Sequence, residues 1–205
     1  MNLQKLAVAA ALAVSFTAFA QAAKPAEPAK KADDKGAAKP AEPAKKDAPP
    51  APPVLPAEGK KYVEGHLGNW KSADVTMTMG DKTVKGKLNL KCDKASGGWG
   101  TLCTGKADMG KEMPAQEVTF LHGWNIGEGE ATMFEVSNMG EVHFHHGKWT
   151  DEKTAVLTHE GKNAEGVVEK DVLTFTWNSP KELAIKAEGS AGGKALWSFT
   201  ATAKK

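Results

Sequence analysis

The sequence predicts an all-β fold, an antiparallel meander of about nine or ten short strands closed into a barrel or sandwich, on three observations. From Lys60 onward apolar residues recur at every second position, turn-forming clusters separate the runs at regular spacing, and the folded part shows no convincing helix period. A strand sends alternate side chains to opposite faces, so apolar-in, polar-out alternation marks a sheet packed on one side. Closure into a barrel removes the exposed edges that so many strands would otherwise present.

The first run sets Val75, Met77 and Met79 against Asp74, Thr76 and Thr78, and Gly80-Asp81-Lys82 turns the chain. In the second, Val84, Leu88, Leu90 and Cys92 alternate with Lys85, Lys87, Asn89 and Lys91. The predicted inner faces continue through Val118, Phe120, His122 and Trp124, then Thr132, Phe134 and Val136, then Val142 and Phe144, then Val156 with Leu157. They end with Leu173, Phe175 and Trp177, with Leu183, Ile185 and Ala187, and with Ala195, Trp197, Phe199 and Ala201. Asn125 to Gly129, Asn138-Met139-Gly140, Asp151-Glu152-Lys153 and Ser190 to Gly193 supply the intervening turns.

Cys92 and Cys103 are the only cysteines, and in an exported chain an even pair reads as a disulfide. Their midpoint falls at Gly97-Gly98, so a hairpin turning on Ser96 to Trp99 sets them directly opposite one another. A bridge needs Cβ atoms about 3.8 Å apart, which favours a four-residue loop over a two-residue one. No CxxC spacing supports a redox or metal pair.

The first residues carry one lysine, an apolar run from Leu6 to Ala20 and small-x-small cleavage sites, the pattern of a secretory signal peptide over residues 1–22. Residues 23–57 are rich in Lys, Pro, Ala and Glu, repeat the string Ala-Lys-Pro-Ala-Glu-Pro-Ala-Lys-Lys and contain no aromatic residue. Such a segment cannot bury enough apolar surface to offset its ordering entropy, so a disordered, semi-stiff tether is expected before a β-domain at 58–205. No segment of the mature chain reads as a membrane span, and a periplasmic or secreted location follows. From Glu58 to Lys205 there are 19 lysines against 20 acidic residues, a net −1, and no arginine occurs anywhere. Nucleic acid is therefore excluded as a partner.

The domain opens on His66-Leu67-Gly68-Asn69-Trp70, and a Gly-x-Trp at the first strand resembles the entry motif of lipocalin-like barrels, where the Trp packs across the closed end. Gly123-Trp124-Asn125, Phe134 to Gly140 and Gly147-Lys148-Trp149-Thr150-Asp151 resemble, in order and spacing, an exported bacterial domain family of unknown function with a lipocalin-like (calycin) β-barrel. The resemblance spans roughly residues 67–204 and implies an up-and-down barrel. It brings no established catalytic residues, and Asn138 stands where an acidic or serine position is expected, so no site is carried over.

No nucleophile elbow, phosphate-binding loop or His-Glu-x-x-His helix is present, which predicts a protein that is not an enzyme and needs no cofactor. One cluster invites chemistry: Glu141-Val142-His143-Phe144-His145-His146. On a strand His143 and His145 share a face with Glu141, and an HxH pair can place two imidazoles on one metal, with a third ligand from His122, His159 or Glu141. Against this, Val142 and Phe144 claim the inner face, which sends His143 and His145 to solvent. Met77, Met79, Met109 and Met113 allow a copper-handling reading but are expected as core filling. The leading function is binding of a small apolar or amphipathic molecule inside the barrel, with Trp124, Phe134, Phe144 and Trp177 as candidate contacts. The alternatives are a periplasmic metal-binding protein using His143 and His145, and a structural or interaction module with a filled barrel.

Overall fold

Short turns between alternating runs make each strand's sequence neighbour its partner in space, and the chain follows that rule throughout. The computed structural model describes residues 53–163 and 165–205. The signal peptide expected over residues 1–22 and the expected tether as far as residue 52 lie outside the described residues. Ten strands follow one helix: β1 (Gly68–Met79), β2 (Lys82–Ala95), β3 (Gly100–Asp108), β4 (Gln116–Asn125), β5 (Glu130–Ser137), β6 (Val142–Trp149), β7 (Thr154–Lys162), β8 (Val168–Ser179), β9 (Glu182–Ala191) and β10 (Lys194–Lys204). Each pairs antiparallel with the next, and β10 returns to β1 to close the barrel.

Cys92 is registered directly across from Cys103 and bridged to it. Ala95 opposite Gly100 leaves a four-residue loop, Ser96 to Trp99, as the bridge geometry required. Ser96, Gly97 and Gly98 all take positive φ (50°, 67° and 98°), a run that two glycines make accessible.

The expectation of no helix is corrected by α1 (Ala57–His66). Two glycines in ten residues mask it, yet its buried set, Gly59, Tyr62, Val63 and His66, falls at i, i+3, i+4 and i+7. The helix plugs one end of the barrel. A Cβ at Gly59 or Gly65 would collide with the rings of Trp124 and Trp177, so these positions let indoles press on the helix backbone. The barrel in turn caps the helix: Thr101 Oγ1 donates to the Val63 carbonyl at 2.6 Å, Trp70 Nε1 to that of His66 at 2.6 Å and Trp149 Nε1 to that of Glu58 at 3.3 Å. Carbonyls at a helix C-terminus lack intrahelical partners, and the contacts to Val63 and His66 supply them.

The inward sets of β1, β2, β4, β8 and β9 are those predicted: Val75, Val84, Leu88, Cys92, Trp124, Leu173, Phe175, Leu183, Ile185 and Ala187 are buried. On β5 and β6 the prediction is reversed. Ala131, Met133 and Ser137 are buried, whereas Phe134 and Val136 face out, as do Val142 and Phe144, which are 57% and 53% exposed. Register explains it: Met133 pairs with His145 and Glu135 with His143, and a one-residue change of face inverts every side chain of a strand. On the outside Leu102, Leu121, Phe134 and Phe144 line up across four strands in one apolar row.

Candidate metal centre

The inverted hairpin β5–β6 directs Glu135, His143 and His145 into the barrel, and strands β7 and β8 add His159 and Asp171, which pair with each other across their ladder. Four consecutive strands thus contribute one inward polar cluster. His143 and His145, expected at the surface, are inside it: His145 is 1% exposed and His143 partly buried. Ligand atoms of Glu135, His143 and His145 lie within 4.8 Å of one another. Around a tetrahedral ion with bonds of about 2.0–2.1 Å, ligand atoms stand about 3.3 Å apart, so small side-chain rotations close the difference.

The surrounding groups orient this set. His143 Nδ1 donates to Asp171 Oδ2 at 2.9 Å, which leaves Nε2 with its lone pair directed away from the carboxylate. His159 stacks on His143 with ring centroids 4.5 Å apart, and its own Nδ1 donates to the Phe144 carbonyl at 3.0 Å. Neither nitrogen of His145 has a hydrogen-bond partner among the described residues. A buried imidazole without partners is costly, and burial, reinforced by His143, His159 and His146, pushes its pKa down to about 3. Burial, reinforced by Glu141 and Asp171, pushes the Glu135 carboxyl up to about 7. Asp171 is also raised, chiefly by burial. Three carboxylates and four imidazoles, those of His66 and His122 among them, therefore face a common space whose lining contains no lysine.

That space is a cavity of about 270 Å³. The polar cluster occupies part of its wall; Leu88, Phe120, Leu173, Phe175, Ile185 and Phe199 form much of the rest. Met77, Met79 and Met113, three of the four methionines singled out in the sequence, also line it, and Met109 is buried. A larger concavity of about 700 Å³ over β1 to β5, lined by Lys71, Lys91, Lys106 and Glu117, brings together no comparable set.

Against the helix, the Tyr62 hydroxyl hydrogen-bonds with His122 Nδ1 at 3.0 Å, and His66 stacks on His122 with centroids 3.8 Å apart. His66 Nδ1 donates to the Tyr62 carbonyl at 2.8 Å. Burial pushes His66 down to about 4 and holds His122 well below the usual imidazole value.

None of the four predicted ligand contacts lines the cavity. Phe134 and Phe144 are outside by register, and Trp124 and Trp177 are spent on the helix plug. Of the proposed third ligands, His122 lines the same cavity but is engaged by the Tyr62 hydroxyl, His159 supports His143, and Glu141 lines the cavity near the cluster. Glu135 and Asp171 were missed. Glu135 lies directly across the Asn138-Met139-Gly140 turn from His143, a relation visible in the sequence once the hairpin is given the other face. The described residues contain no helix long and apolar enough to cross a membrane. No protein-family model matches this chain, and no match is found among curated proteins.

Proposed function

We propose that this protein is a metal-binding barrel that holds a divalent transition-metal ion on Glu135, His143 and His145, with Asp171 positioning His143. The observation that carries the reading is His145, a fully buried imidazole with no partner, placed beside a carboxyl and a second imidazole whose far nitrogen is already committed to a carboxylate. Two imidazoles and one carboxylate suit zinc, copper, nickel or iron better than calcium or magnesium. A divalent ion also supplies the positive charge that Glu135 and Asp171 otherwise lack in their buried setting. We read the domain as an exported, lipocalin-like barrel, periplasmic or secreted, whose role is binding rather than turnover; the Cys92–Cys103 bridge fits that location. The apolar remainder of the cavity supports a second reading, in which a small apolar molecule is bound.

Calorimetry of the full chain with Zn²⁺ tests the metal reading. Micromolar or tighter binding is expected, with a rise in Tm by mass action, and both are lost in the His143→Ala, His145→Ala double variant and in Glu135→Gln. His146→Ala changes neither, since His146 lies on the outer face beside Glu130. Binding no tighter than millimolar, or binding indifferent to the double variant, overturns the reading.

A further inference from the structure

Three protein donors leave a tetrahedral ion one position short, and zinc sites of this kind keep that position open. The neighbouring groups are engaged elsewhere, His122 Nδ1 by the Tyr62 hydroxyl. His159 Nδ1 is engaged by the Phe144 carbonyl, and its Nε2 lies against Gly161, 2.8 Å from where a Cβ would stand there. Asp171 Oδ2 is engaged by His143, and Glu141 Oε2 accepts from Ser137 Oγ at 3.2 Å. Glu135, His143 and His145 all border the 270 Å³ cavity, so the remaining position opens onto a chamber walled mainly by hydrocarbon and aromatic surface.

We propose that this position is taken by the donor atom of a small, uncharged, largely apolar molecule whose body fills the cavity; the proposal rests on the metal reading above. Charge sets the first part. A divalent ion balances the buried Glu135 and Asp171 carboxylates, and Glu141 on the same lining already adds a negative charge, so an anionic donor adds a further one that nothing compensates, which is unfavourable. A neutral aromatic nitrogen or thioether meets that condition and suits a borderline-soft ion. Size sets the second part. A dry cavity of about 150 Å³ lined by aliphatic and aromatic side chains holds one benzene ring. The larger chamber here matches a molecule of about two rings. Met77, Met79 and Met113 give its wall an adaptable surface, because methionine side chains repack easily around different shapes.

The test uses the full chain loaded with Co²⁺, whose visible bands report exchange of a coordinated group, and three probes: 4-phenylpyridine, pyridine and biphenyl. The expected result is that 4-phenylpyridine shifts the bands at a concentration at least about tenfold below that needed with pyridine, since only the former buries a phenyl ring. Biphenyl, which has no donor, leaves the bands in place. Filling the chamber from β9 with Ala187→Phe, or from β3 with Ala107→Leu should the first variant not fold, removes the advantage of 4-phenylpyridine while the bands of the Co²⁺ protein persist. Co²⁺ bands that respond to 4-phenylpyridine no better than to pyridine, or an advantage that survives a filled chamber, overturn the proposal and leave the metal reading standing. Absence of Co²⁺ bands that depend on His143 and His145 overturns both.

Discussion

Hairpins β1–β2 and β5–β6 are built on the same alternation, belong to the same wall and face opposite ways. In β1–β2 the outward residues include Lys85, Lys87 and Lys91, which water solvates well, and the apolar set goes inside. In β5–β6 the outward set is Phe134, Val136, Val142 and Phe144, and the barrel encloses Glu135, His143 and His145. Hydrophobicity alone orients the first pair and would orient the second the other way. Alternation divides a strand into two faces; which face is inside is settled by the whole register of the closed sheet. Where a hairpin gives up burial of two phenylalanines to enclose an acid and two imidazoles, local rules are violated at the candidate site.

The sharpest contrast between the two hairpins is energetic. Trp70→Ala, which empties a fully buried site under the helix, is expected to lower stability by about 3–5 kcal/mol, whereas Phe144→Ala on β6 is expected to change it by less than about 1 kcal/mol. Urea unfolding of the two variants measures this directly, and equal losses would break the comparison.

Next in size is the response to acid at the plugged end. His66 is faced by His122, Tyr62 and Lys205, and its buried imidazole titrates at about 4 against an ordinary value near 6.5. The unfolded chain therefore takes up the proton first. Stability is complete above about pH 6.5 and falls as the pH drops toward 4, by about 3 kcal/mol from this residue, and His122 acts in the same direction. Glu135 has the opposite sign: its raised value makes the metal-free protein lose stability as pH climbs from about 4.5 to 7. Unfolding across this range in His66→Gln and Glu135→Gln separates the two slopes, and a profile flat from pH 4 to 7 in both variants would contradict the assignment.

The smallest expected effect is a gain. His145→Leu replaces an unpartnered buried imidazole by an apolar side chain of similar size and should raise the stability of the metal-free protein by about 1–3 kcal/mol while abolishing Zn²⁺ binding. A loss of stability would mean that His145 packs as an ordinary core residue.

Much of the barrel was legible because its information is local. The inward faces of β1, β2, β4, β8 and β9, the bridge and its four-residue loop follow from period-two patterning and turn chemistry near in sequence. The orientation of β5 and β6 was not, since Phe134 and Phe144 carry a hydrophobic signal that the closed register overrides. Half of the site was visible as the His143, His145 pair. Asp171 was not, because it reaches that pair from β8, two strands away, through a ladder with His159 that no local pattern specifies. The helix was lost to Gly59 and Gly65, whose value lies in what they allow Trp124 and Trp177 to touch.

The seam between β10 and β1 sets an order of events for folding. Every other ladder joins consecutive strands, whereas the seam pairs Thr76 with Thr200 and Lys71 with Lys204, at the two ends of the barrel domain. Contacts between distant residues carry a larger loop-closure entropy and form more slowly than hairpins. Glu135, His143 and His145 need only the β5–β6 hairpin to meet, but the chamber beside them is bounded by Met77 on β1 and Phe199 on β10, which face each other across the seam. The donors are thus gathered by the quickest kind of contact in the molecule, and the room they open onto comes into being with the slowest.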